Sequence, residues 1–155
     1  MSNRKNGFTL IEILVVIGII AILAAIVLIA INPARQFAQA HNTQRSSNVN
    51  AILNAIGQYT ADHKGVLPPG IPVASDGAAD IPSSLCSALI PTYIPSLPTD
   101  PKSSFSGSPV TDCTTLTGAA TTGYTVMQDS NSRVTVEAVN TELKTGTDPN
   151  IKVTR

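Results

Sequence analysis

Charge and aromatic side chains are both scarce in this sequence. Charged residues make up 13% of the 155 positions and aromatic residues 4%, with no tryptophan. Ten basic and ten acidic side chains give a formal charge of +0. No clustered basic face is visible, which excludes the electrostatic footprint of a nucleic-acid binder. No serine lies in a G-x-S-x-G context, no glycine loop is built to cradle phosphate, and no paired Cys/His set is spaced for a metal. The two histidines, His41 and His63, stand among polar residues and read as solvated rather than catalytic. The sequence therefore describes a protein that is not an enzyme. Only two cysteines occur, Cys86 and Cys113, too far apart for a metal motif.

Thr, Ser, Pro and Gly are plentiful after Gly65. The length allows one modest globular domain beside whatever the N-terminus does. This composition suits an exposed, loop-rich domain with a small core outside the cytoplasm. In that setting Cys86 and Cys113 are candidates for a disulfide contributing about 3 kcal/mol, the alternative being two free thiols.

The N-terminal segment is of another kind. From Phe8 to Ile31 only Thr9 and Glu12 are polar, and Ile13 to Ile31 carries no charge or hydrogen-bonding side chain. As a helix those residues extend about 28 Å, close to the hydrocarbon thickness of a bilayer. A domain this small cannot cover such a helix on all sides, and in lipid the backbone must satisfy itself, so a membrane helix is expected. Arg4 and Lys5 precede the run and no comparable charge follows until Arg35. The positive-inside rule keeps the N-terminus cytoplasmic and sends the chain beyond about residue 33 outward. A secretory signal needs small residues at −3 and −1 of its cut. Leu23 before Ala25, Ile22 before Ala24 and Leu28 before Ala30 all fail that test.

Glu12 is out of place in this run, because an ionised carboxylate there costs a few kcal/mol unless paired. No basic side chain lies within a turn or two of it. Cleavage between Gly7 and Phe8 would create a cation, the Phe8 α-amino group, four residues away. The pair could form within one molecule or between two, and between molecules it would fix the stagger of neighbouring helices.

Arg4-Lys5, then Gly7-Phe8-Thr9-Leu10-Ile11-Glu12, then the apolar run, resembles the class III signal of type IV prepilins and pseudopilins. The resemblance is strong over about residues 4–64 and weaker beyond. It implies that a prepilin peptidase cuts after Gly7 and methylates the Phe8 amine, and that Glu12 pairs with the Phe8 amine of a neighbouring subunit. It also implies a homopolymer of identical subunits served by an inner-membrane assembly platform. Such a chain sits in membrane lipid as a single-pass protein before assembly, and in an extracellular or periplasmic filament afterwards. Loss of the leader would leave 8 basic against 10 acidic side chains.

Leu97-Pro98-Thr99-Asp100-Pro101, after Tyr93-Ile94-Pro95, is similar to a loop of major pseudopilins of type II secretion. Those proteins often hold calcium in their C-terminal loops. Here Asp100, Asp112, Asp129 and Asp148 are scattered without a recognisable ligand spacing, so no metal site is assigned.

Pro33 is expected to break the long helix where it leaves the membrane. Arg35, Gln36, Gln39, His41, Gln44 and Arg45, with Phe37 alone among them, read as a stalk that is polar nearly all round. Val49, Ile52, Leu53, Ile56 and Tyr59 then recur at helical spacing and should carry the globular domain. Lys64-Gly65 marks the helix stop. Ser83–Ile90, bounded by Pro82 and Pro91, reads as a short helix. Tyr124–Met127 and Arg133–Val139 read as a hairpin turning at Asp129–Ser132, with an edge strand around Ile151 and Val153.

The expected fold is α+β and pilin-like, a long N-terminal helix with a small antiparallel sheet packed on its C-terminal half. Its parts are a leader at 1–7, a membrane or filament-core helix at 8–33, an amphipathic half at 34–64 and a globular domain at 65–155. The function this implies is a subunit of a type IV pilus-like filament serving adhesion, motility or DNA uptake. A secretion pseudopilin is the alternative within the class, and a membrane-anchored binding module that never polymerises is the rival outside it.

Overall fold

The computed structural model describes residues 7–117, 119–143 and 150–155. The chain divides into two compact units, residues up to Phe37 and Ala38–Arg155.

The first unit is dominated by helix α1, Leu10–Ile31. From Leu10 to Ala30 it is long and apolar enough to cross a bilayer, and its side chains there are exposed on every face. Such a helix has no buried stripe to hold it in water, and its apolar surface calls for lipid or other helices around it. Thr9 caps its start and Asn32 its end. Asn32 adopts a left-handed conformation, φ 47° and ψ 80°, which asparagine tolerates better than most residues. Its side-chain Oδ1 accepts the Arg35 N–H at 3.3 Å. Pro33 is then the first residue of helix α2, Pro33–Asp62. That is where proline costs a helix least, since its missing N–H would be unsatisfied there in any case. The interruption expected from Pro33 thus falls at Asn32, with Pro33 opening the next helix.

In the second unit α2 runs to Asp62, and Gly65, at φ +89°, donates its N–H to the Thr60 carbonyl at 2.8 Å to close the helix end. A four-stranded antiparallel sheet follows, ordered β1-β2-β3-β4. Its strands are β1 Ala79–Asp80, β2 Tyr124–Gln128, β3 Val134–Ala138 and β4 Ile151–Thr154. β2 and β3 pair from Tyr124 opposite Ala138 to Gln128 opposite Val134, and β4 continues the sheet with Val153 opposite Val136. This register puts Tyr124 and Val126 with Val134, Val136 and Ala138 on the buried face. There they meet Val49, Ile52, Leu53 and Ile56 of α2, and Leu85 and Leu89 of helix α3, Ser83–Leu89, in one core. Cys86 of α3 is disulfide-bonded to Cys113, which opens a 3₁₀ turn over Cys113–Thr115.

The α+β architecture expected from the sequence is the one observed. The two-residue strand β1 was not expected, since Ala-Asp carries little β-propensity and too short a pattern to register.

Candidate functional site: the N-terminal turn and the buried cluster on α2

Two places concentrate polar chemistry. The first is the turn that opens α1. Glu12 Oε2 accepts the Thr9 backbone N–H at 2.8 Å and the Thr9 hydroxyl at 2.7 Å. In return Thr9 Oγ1 accepts the Glu12 N–H at 3.3 Å. This is a reciprocal capping box, which satisfies orphan amide groups of the first helical turn. Thr9-x-x-Glu12 is its sequence signature, a local signal that the charge-based reading of Glu12 passed over. Both Thr9 bonds fall on one oxygen, and among the described residues Glu12 Oε1 accepts none. Phe8 beside it is 85% exposed.

The second place lies in the Ala38–Arg155 unit and corrects the expectation of an exposed stalk at Arg45 and His41, whereas Gln39 and Gln44 are exposed as expected. Phe37 does stay exposed, but Arg45 is fully buried and so is Asp100. Arg45 Nε donates to Asp100 Oδ2 at 2.6 Å and Nη2 to Oδ1 at 3.1 Å, the two-pronged geometry a guanidinium offers a carboxylate. Arg45 Nη1 donates to Glu142 Oε2 and to Asn42 Oδ1, both at 2.9 Å. Lys102 Nζ reaches Glu142 Oε1 at 2.6 Å and His41 Nδ1 reaches Oε2 at 2.9 Å, so His41 is half-buried against a carboxylate instead of solvated. Asn42 treats Glu142 as a strand would. Its amide donates to the Glu142 carbonyl and its Oδ1 accepts the Glu142 N–H at 3.0 Å. The physical reason for the correction is spacing. Arg45 lies four residues before Val49 on the same face of α2, and the guanidinium enters the interior because two carboxylates meet it there.

The electrostatics follow from this geometry. Burial opposes the charge of Arg45, yet the hydrogen bonds to Asp100 and Glu142 outweigh it and raise its pKa. The Lys102 ammonium first, then Arg45 and His41, hold the Glu142 carboxyl down at about 2. Next to the pair, Asn48 donates to the Tyr124 hydroxyl at 2.9 Å, and burial raises that phenol. Gly123 makes the close approach of Asp100 feasible. It sits at φ +81°, and a Cβ there would lie 2.6 Å from the Asp100 Cβ.

The other acidic residues considered for calcium lie elsewhere. Asp112 accepts the Thr114 N–H and hydroxyl at the 3₁₀ turn, and Asp129 is bound by Arg133 in the β2–β3 turn. Asp148 lies outside the described residues. Among the described residues no three His, Cys, Asp or Glu side chains converge as a metal site would require.

Comparison with known proteins agrees with the first of these places. Residues 2–28 match the family model described as the prokaryotic N-terminal methylation motif. That motif is the signature of type IV pilins and pseudopilins, and it ends well before the globular unit begins. The chain is thus pilin- or pseudopilin-like at its N-terminus, with the apolar helix that membrane anchoring before assembly requires. No curated protein and no solved structure matches the chain.

Proposed function

We propose that the chain is a prepilin cut between Gly7 and Phe8, methylated at Phe8, and polymerised through α1 into a type IV pilus-like filament. The observation that carries this reading is the pairing of two features at one end of the molecule. α1 exposes apolar side chains on all faces, and among the described residues one oxygen of its single carboxylate has no partner, near the future terminus. Lipid covers the apolar surface before assembly, and the α1 helices of other subunits cover it in the filament. Thr9 holds the Glu12 side chain against the first turn, so Oε1 is presented for the Phe8 ammonium of a neighbour. That pair sets the axial stagger, since any other offset leaves both charges in an apolar core. The part of the globular unit beyond residue 64 forms the filament surface and carries no catalytic role. In this reading the N-terminus stays cytoplasmic until assembly extracts the subunit, with the peptidase and the inner-membrane platform as its processing partners.

The Leu97–Pro101 loop favours a secretion pseudopilus as the second reading, because that loop resembles the one in major pseudopilins. Intact mass and N-terminal sequencing of the protein from membranes and from sheared surface material test both. A methylated chain starting at Phe8 in the sheared fraction is the expected result. A processed chain held in the cell envelope favours the pseudopilus. An uncut chain confined to the membrane overturns both and leaves a singly displayed binding module.

A further inference from the structure

Secretion pseudopilins, which the Leu97–Pro101 loop resembles, often hold calcium in their C-terminal loops, and the two carboxylates of the cluster on α2, Asp100 and Glu142, do not fit that ion. Calcium takes six to eight oxygen ligands, which must be free to turn toward it. Both oxygens of Asp100 already accept N–H groups, Oδ2 from Arg45 and Oδ1 from Arg45 and the Lys102 amide at 2.7 Å. Both oxygens of Glu142 are taken by Arg45, Lys102 and His41. A divalent ion entering here would also lie against a guanidinium that burial prevents from moving away.

We propose that Arg45 is the resident cation of this domain, doing with a covalently attached charge what a bound divalent metal would otherwise do. Its planar fork grips Asp100 from one side, and its remaining nitrogen reaches Glu142. One side chain of α2 therefore holds two loops far apart in sequence, and Asn42, three residues before it on the helix, locks the second loop through its backbone. A cation delivered by the chain itself cannot be lost when free calcium falls, so the domain folds independently of the divalent ions around it. The proposal concerns folding of the Ala38–Arg155 unit and stands whether or not the chain polymerises.

The test is thermal unfolding of the full chain in detergent micelles, in excess EDTA and in millimolar calcium, with Arg45→Gln and Arg45→Lys compared. The parent midpoint should be the same in both buffers. Arg45→Gln should lower it by about 10 °C or more in both, because two carboxylates lose their buried partner. Arg45→Lys should recover only part of the loss, since an ammonium cannot make the forked contact. A calcium-raised midpoint in the parent would overturn the proposal, as would an Arg45→Gln variant that melts with the parent. If Arg45→Gln does not accumulate as folded protein, the calcium response of the parent decides the matter alone.

Discussion

α1 and the polar cluster on α2 each set ionisable groups among apolar neighbours, and they resolve the resulting cost in opposite ways. At α1 the carboxylate of Glu12 has one oxygen satisfied by Thr9 and the other left without a partner among the described residues. On α2 the guanidinium of Arg45 is fully buried and bound to Asp100, Glu142 and Asn42 from the same chain. Under the proposed assembly the first arrangement is completed by a charge from a neighbouring subunit; the second is complete within one chain.

The comparison breaks most sharply at Glu12. Glu12→Ala should abolish recovery of the protein in sheared surface material while leaving the unfolding midpoint of the globular unit unchanged. Immunoblots of the two fractions, with circular dichroism of the purified chain, would show it. If filaments persisted at the parent level, the second Glu12 oxygen would have no role in assembly.

Within the closed network the largest effect should come from Asp100→Ala. This leaves a guanidinium buried without its main partner and should cost about 3–5 kcal/mol in urea unfolding. Replacing Arg45 and Asp100 together by Met and Leu should recover most of that, because an apolar pair of similar volume carries no desolvation cost. A double variant as unstable as the single one would show that the pair supplies more than compensation.

Removing the Cys86–Cys113 bridge by paired serine substitution should cost about 3 kcal/mol, as expected for a cross-link of this span. It should leave filament recovery intact wherever the domain still folds. Pulse proteolysis of wild-type and variant chains would measure the difference.

The smallest effect concerns pH. The Glu142 carboxyl is depressed from 4.5 to about 2, so its contribution to stability is fully present above about pH 4.5 and is lost as pH falls toward 2. Unfolding midpoints between those limits should fall with pH for the parent and flatten for Glu142→Gln. Equal slopes for the two would place the acid sensitivity elsewhere.

Much of the fold could be read from the chain because it rests on local pattern. The alternation in Tyr124–Gln128 and Val134–Ala138 and the spacing of Val49, Ile52 and Ile56 each dictate one buried face. Proline at 82 and 91 bounded α3 in the same way. At the N-terminus the motif is contiguous, so its candidate residues stand together in sequence as in space. The cluster on α2 is different in kind. Asp100 and Glu142 lie 55 and 97 residues from Arg45, and nothing local announces that they meet. One sign was present. Arg45 continues the apolar stripe backward by one turn, and an arginine on the buried face of a helix requires carboxylates opposite it. Reading the 35–45 stretch by its composition, as a stalk, hid that position.

Gly123 draws a last consequence from this arrangement. It lies on the strand side of the domain, makes no ion pair, and contributes to the cluster only by the carbon it lacks. A methyl group at that position would press on Asp100 and lever its carboxylate away from the guanidinium. The charge balance of the interior therefore hangs on a residue with no charge, and a change of one hydrogen to one methyl there would be felt as the loss of a salt bridge.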